Sequence, residues 1–447
     1  MAIIRPFRGI RYNPARMADL SKVITQPYDR IGPPQQDDYY AQSPYNFVRI
    51  DFGKTAPNLP GDNVYTRARD FKSAWLQEGV LKRDAKPCLY VLEQTYTALD
   101  GPSRTRRGFT AAFQLTPFGE GTVLPHERTF SAPKADRLNL TRATQTSWGH
   151  IFILYPDETN RINALLQPYL DRMPPQTARE LVIEPDVEQR FWTLDDPALL
   201  QDIAEEMRPK HNLIIADGHH RYETALAYHD EMRRLNPSDS PDAAYNYGLV
   251  TLVSMSDPGL IILPTHRLVR AGTRQMSVRW LSALADYFDV QPMGSRADME
   301  DALRKASPYR PRFGYYDGHY SLLTLHALEV MAQLAPDHSE AWRTLDVAVL
   351  HRLVLDHALG LGSDGDQAGG HAGGAQAPIT YLRDANAGYA AVDRNEASAF
   401  FILNPTRMEQ VNACTRAGEK MPQKSTDFYP KIISGLVSLP LSGTLGG

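Results

Sequence analysis

The sequence predicts an α/β protein, organised as a multidomain α+β chain. Three observations carry that prediction. At 447 residues the chain exceeds what one hydrophobic core fills. Short runs rich in β-formers alternate with helical periodicity along most of its length. Between Phe191 and Met232 the alternation becomes a clear strand, helix, strand, helix succession.

The expected division is into three modules, at residues 1–160, 161–275 and 276–447. In the first, Tyr65 to Gly79 reads as a helix with Tyr65, Ala68, Phe71, Trp75 and Leu76 at helical spacing and Gly79 as its stop. Leu89 to Tyr96 and Arg107 to Leu115 are β-rich, and the polar stretch between them suits a hairpin. In the second, Phe191 to Leu194 reads as a strand. Asp195-Asp196-Pro197 then supplies an N-cap with proline at the first helical position, before Leu199, Leu200, Ile203 and Met207. Asn212 to Ala216 is a continuous apolar run fit for a buried strand. It leads through Asp217-Gly218-His219-His220-Arg221 into a helix carrying Tyr222, Ala225, Leu226, His229 and Met232. Leu249 to Val253 and Leu260 to Leu263 complete the β content. The third module opens on a helix around Val278 to Tyr287, and a Gly-rich insert at 360–378 reads as a flexible surface insertion. Thr406 and Glu409 form a capping-box pattern for a helix that should stop at Gly418, before a lysine-bearing loop.

Composition narrows the function classes. Hydrophobic residues at 42% and charged residues at 22% are ordinary globular usage, which excludes a fibrous or disordered chain. A net charge of −4 without a basic block speaks against binding nucleic acid. Two cysteines, Cys88 and Cys414, fit a reducing compartment better than a disulfide framework. With no apolar leader and no apolar run near the ~18 residues of a membrane span, the expected location is cytoplasmic. A P-loop, a dinucleotide fingerprint, paired Cys-x-x-Cys and His-Glu-x-x-His are all missing from the sequence.

The Asp217 turn has a specific physical use. A helix start leaves N–H groups unpaired at the positive end of the dipole, so an anion binds there readily. Gly218 lets the backbone approach a ligand closely. Arg221 can grip phosphate oxygens in bidentate fashion, and His219 or His220 can donate hydrogen bonds or move a proton. Asp217 would be misplaced against an anion and instead suits a hydroxyl-orienting base or a carboxylate on phosphate-bound Mg²⁺. The bland alternative is an ordinary Asp-Gly turn with surface histidines.

Ile215-Ala-Asp-Gly-His-His-Arg-Tyr-Glu-Thr-Ala-Leu226 resembles the signature of the bacterial and archaeal family called domain of unknown function 1015. Arg5-Pro-Phe-Arg-Gly, Pro27-Tyr-Asp-Arg-Ile, Pro125-His-Glu-Arg-Thr, Lys134-Ala-Asp-Arg-Leu, Pro264-Thr-His-Arg and Met421-Pro-Gln-Lys-Ser-Thr-Asp-Phe-Tyr-Pro-Lys match its pattern in order, and the Gly-rich insert departs from it. The Asp-Gly-His-His-Arg turn is also similar to that of the ParB/sulfiredoxin-like fold, which includes free-serine kinases, CTP-binding partition proteins and sulfiredoxins. The resemblance implies a ParB/sulfiredoxin-like central module and phosphoryl transfer to free serine or a similar small hydroxy compound, with Mg²⁺ and with ATP, ADP or pyrophosphate as donor. Its alternatives are a CTP-dependent regulatory protein and a phosphatase of the same fold.

Two further clusters join the candidate site. His126, Glu127, Thr129, Lys134 and Arg137 could complete a polyphosphate site, although such runs are usually solvated surface. Under the resemblance, Glu127 becomes the candidate general base for the acceptor hydroxyl. Lys424, Ser425, Thr426 and Lys431 could close over an anion from a proline-constrained loop. Service of one anion by all three clusters requires them to converge with the Asp217 turn.

Overall fold

The computed structural model describes residues 1–98, 101–120, 122–127, 131–270, 274–305, 310–361 and 378–446. Thr129 and residues 362–377 of the Gly-rich insert lie outside them. The fold is mixed α/β, and the chain gathers into two compact units. The first comprises Met1–Pro125, Thr129–Ile261 and Pro430–Gly447; the second comprises His126–Arg128 and Ile262–Tyr429. The division differs from the three sequence segments because strand pairing ignores them. Strands on both sides of residue 160 share one sheet, and the C-terminal residues return to the first unit.

That sheet of nine strands runs in the order Val123–Leu124, Leu213–Asp217, Ile151–Tyr155, Tyr247–Ser254, Ser103–Gln114, Leu89–Thr97, Glu188–Leu194, Gln176–Arg179, with Ile4–Arg5 also on Ser103–Gln114. Leu89–Thr97 and Ser103–Gln114 form the expected antiparallel hairpin. Leu213–Asp217 pairs parallel with Val123–Leu124 and antiparallel with Ile151–Tyr155. Its apolar run is buried because the sheet covers both edges and helices cover its face. Ile153, Leu213 and Ile215 join one core with Ile203 and Met207 of the Pro197–Met207 helix. Full burial of a side chain such as Ile203 stabilises by about 2 kcal/mol. Asp196 caps that helix as expected, accepting from Ala198 N and Leu199 N. A bulge between Ile215 and Asp217 shifts the register at the strand's end and re-aims Asp217.

The second unit is built on a six-stranded antiparallel sheet, ordered Phe288–Met293, Tyr320–Leu325, Arg312–Tyr316, Ala399–Ile402, His266–Val269, Ile379–Leu382. Its core joins Leu268, Phe400 and Ile402 to Met299 and Tyr389 from two covering helices. A π-helix spans Leu350–Ala358. The helix expected at Val278 runs Arg274–Leu284. The expected Thr406–Glu409 cap is displaced by one residue. The helix is Met408–Arg416, Gln410 Oε1 accepts from Arg407 N at 3.0 Å, and Thr406 Oγ1 instead donates to Ser425 O at 2.6 Å. Gly418 follows with φ +73°, a left-handed stop. Among the described residues no helix is long and apolar enough to cross a membrane.

Candidate functional site

The strand Leu213–Asp217 hands over to the His219–Leu235 helix through Gly218, whose φ is +89°. Among the described residues no side chain caps that helix, and a helix start of this kind is where an anion binds. A β-carbon at position 218 would also lie 3.1 Å from the Arg221 guanidinium. His219 and Arg221 are buried, while His220 is half-buried.

Asp217 is the electrostatic centre of the turn. Its Oδ2 accepts from Arg221 Nη2 at 2.5 Å, and its Oδ1 accepts from Lys431 Nζ at 3.2 Å. Burial alone pushes the carboxyl up, yet Lys431, Arg221 and His219 together hold it well below the usual carboxylate range. Asp217 is therefore an ionised acceptor at neutral pH. Arg221 also donates to the His150 carbonyl and lies 3.8 Å from Asp29, so its guanidinium is fixed on several sides. Lys431 arrives because the C-terminal segment threads back through the first unit. Ser434 bridges Thr25, Ser438 bridges Ile10, Leu439–Pro440 pairs with Thr146–Ser147, and Gln94 Nε2 donates to Lys431 O at 2.8 Å.

Beside Arg221 a small pocket opens, lined by Tyr28, Asp51, Arg137, Trp148 and, on the motif helix, Thr224 and Tyr228. Arg221, Thr224, Ala225 and Tyr228 lie three, four and seven residues apart, one helical face. Hydrophobic periodicity missed this face because half of it is polar. Arg137 is held in the pocket wall by Asp51 Oδ1 at 3.0 Å and Asp136 Oδ2 at 2.6 Å, with its guanidinium 4.0 Å from the Tyr28 ring centre. Lys134 pairs with Glu223 of the motif helix at 2.8 Å. The structure thus brings Lys431 onto the Asp217 turn and Arg137 into the adjoining pocket, both already partnered by carboxylates. Asp51 and His150 went unnoticed in the sequence as site residues, and Asp29 stood there only in a weaker candidate that an ordinary turn also explains. Asp29 alone had a signal, within the Pro27-Tyr28-Asp29-Arg30 match.

The other candidates lie in the second unit and form their own group. His126 is buried, its Nε2 2.7 Å from Thr426 Oγ1, and its carbonyl accepts from Met421 N at 2.8 Å. Glu127 is half-buried and Lys424 is exposed, in a left-handed conformation at φ +55°. Ser425 Oγ donates inward to Pro422 O at 2.5 Å. Beneath this loop sits Arg267, fully buried and without a carboxylate bond among the described residues. It donates to Lys424 O at 3.2 Å, Gln423 O at 3.3 Å, Thr265 O, and His351 Nε2 at 3.1 Å. Burial and Arg267 keep His351 neutral by lowering its pKa well below the usual value, so its Nε2 can accept.

A family model described as protein of unknown function (DUF1015) matches residues 4–348. The chain belongs to this family. A search of curated proteins found no match. Among solved structures, a conserved hypothetical protein from Pyrococcus furiosus is similar at 13% identity and TM-score 0.33, over 72% of this chain and 92% of that one. Free serine kinase in complex with AMP is similar at 12% identity and TM-score 0.33, over 70% and 89%. SbnI with C-terminal truncation from Staphylococcus aureus is similar at 11% identity and TM-score 0.33, over 72% and 84%.

In this DUF1015 member, no group of three or more metal-ligating side chains occurs among the described residues. Both Asp217 oxygens face cations, so the carboxylate does not present a free site to Mg²⁺. What the turn offers is a set of first-turn N–H donors beside a fixed guanidinium, an ammonium and an ionised carboxylate.

Proposed function

We propose that the protein is a phosphotransferase that moves a phosphoryl group from a nucleotide or pyrophosphate to free serine or a similar small hydroxy compound. The observation that supports this reading is the uncapped start of the His219–Leu235 helix after left-handed Gly218, with Lys431 and Arg221 gathered on Asp217. Donor phosphates would take hydrogen bonds from the first-turn N–H groups, and Lys431 would offset charge that builds on the transferring group. Asp217, ionised but weakly basic, would accept a hydrogen bond from the acceptor hydroxyl and orient it. A histidine of the same turn, His219 or His220, would take the proton as the acceptor oxygen bonds to phosphorus and the donor's bridging oxygen departs. Mg²⁺ would enter with the donor phosphates and neutralise part of their charge. The ParB/sulfiredoxin-like assignment of the central module belongs to the same reading.

The test is incubation of the pure chain with serine and Mg²⁺ against ATP, ADP, CTP and pyrophosphate, with phosphoserine read by mass spectrometry. Phosphoserine with at least one donor is expected. No product with any of the four overturns the proposal.

A further inference from the structure

The middle of the first unit's sheet carries two buried polar side chains that the proposed reaction does not use. Gln94 and Arg106 are register partners on the Leu89–Thr97 and Ser103–Gln114 strands, so they project from the same face, and each is only 1% exposed. Arg106 Nη2 donates to Gln94 Oε1, and the Arg106 guanidinium lies 4.6 Å from the centre of the Phe152 ring. Phe152 is in turn the register partner of Asp217 on the next strand.

A guanidinium only donates, so contact with Arg106 obliges the Gln94 amide to present its oxygen there. The amide nitrogen then points away from Arg106, and Gln94 Nε2 donates to the Lys431 carbonyl at 2.8 Å. Lys431 is the residue whose ammonium reaches Asp217 Oδ1 at 3.2 Å. Arg106, Gln94, Lys431 and Asp217 thus form one run of contacts from the middle strands to the motif turn, all within the first unit. An apolar pair would fill the same space without desolvating a guanidinium. What the polar pair adds is a directed donor onto residue 431. A lysine side chain carries about 2 kcal/mol of rotamer entropy, which opposes holding its ammonium at one point. Fixing the backbone at its root removes part of that freedom. The bridges at Ser434 and Ser438 hold the C-terminal segment further along, whereas Gln94 acts on residue 431 itself.

We infer that Gln94, oriented by Arg106, is a positioning residue that sets the Lys431 ammonium at the Asp217 turn. The inference deepens the proposed function and rests on it for the role of Lys431, the cation that offsets charge on the transferring group. Gln94 and Arg106 act through Lys431 and not on the donor.

The experiment is a double-mutant cycle on the full chain, read by calorimetric titration with pyrophosphate and with ADP, neither of which requires turnover. Gln94→Leu should weaken binding of at least one of these anions by about tenfold, the scale of one charged hydrogen bond. Combined with Lys431→Met it should cause no further loss, because that variant keeps the carbonyl Gln94 donates to and has no ammonium left to misplace. Arg106→Met, which frees the amide to turn over, should couple to Lys431→Met in the same sense. A merely structural defect would weaken binding by the same factor in both backgrounds, and such additivity overturns the inference. Unchanged affinity in Gln94→Leu, or binding of neither anion by the wild-type chain, overturns it too. If Gln94→Leu does not fold, Gln94→Asn carries the same cycle, since its shorter amide cannot reach Arg106 and Lys431 together. Coupled losses of binding without phosphoserine from any donor would remove the proposed function and leave the positioning intact. Phosphoserine formation with additive losses would do the reverse.

Discussion

Lys431 Nζ lies 3.2 Å from Asp217 Oδ1 across a sequence separation of 214 residues. With Arg221 on the other oxygen, the carboxylate is clamped between two cations inside the first unit. The clamp couples the C-terminal segment to the motif turn, and its consequences are measurable.

Asp217→Asn should destabilise the protein by about 3 kcal/mol, because it removes the carboxylate that the largely buried Arg221 and Lys431 share. Lys431→Met should be milder, since Asp217 keeps Arg221. Urea unfolding of both single variants and the double variant reads the coupling, and an unchanged midpoint for Asp217→Asn would show that the clamp contributes nothing.

Gly218→Ala should lower stability by about 1–2 kcal/mol, the strain of a left-handed conformation in a residue with a β-carbon. The added methyl would also press on the Arg221 guanidinium at 3.1 Å. Thermal unfolding measures the loss, and wild-type stability in the variant would mean that the turn relaxes freely.

His150 is buried, its Nδ1 2.8 Å from Thr251 Oγ1, and burial followed by the Arg221 charge lowers its pKa from 6.5 to about 3. The unfolded chain therefore takes up this proton first as pH falls. Stability present above pH 6.5 should be lost progressively toward pH 3, by up to about 1.4 kcal/mol per pH unit from this one group. His150→Asn should flatten the dependence of unfolding free energy on pH across that window relative to wild type. An identical slope would rule His150 out as a contributor.

Arg267→Lys should loosen the loop that carries Lys424, since an ammonium cannot reach the carbonyls of Thr265, Gln423 and Lys424 and the ring of His351 together. Amide hydrogen exchange over residues 421–427 should quicken by about tenfold, the equivalent of roughly 1.4 kcal/mol of local opening. Unchanged exchange would make Arg267 dispensable to the loop.

The local parts of this protein were legible in the sequence because their causes are local. Apolar continuity marks Leu213 to Ala216 as buried strand, Asp196-Pro197 starts the next helix, and Asp-Gly marks the turn where the site begins. The Thr406 cap was misplaced by one residue because a competing partner, Ser425 O, captured the threonine hydroxyl. On the motif helix, Thr224 and Tyr228 stand outside the apolar periodicity read from the sequence, whereas the folded chain buries them together with Arg221.

The sequence by itself determined the alternation of strands and helices, the position of the motif at a strand-to-helix junction, and the family pattern that runs through it. Only the tertiary structure decided which distant residues meet there. Lys431 reaches Asp217 because the C-terminal segment pairs with strands near residues 10, 25 and 146, and Asp51 finds Arg137 through packing of separate helices. Periodicity and capping depend on neighbours a few residues apart and leave a trace in the sequence. Sheet order and ion pairing between distant segments depend on the free energy of the whole packed unit, which no local window contains.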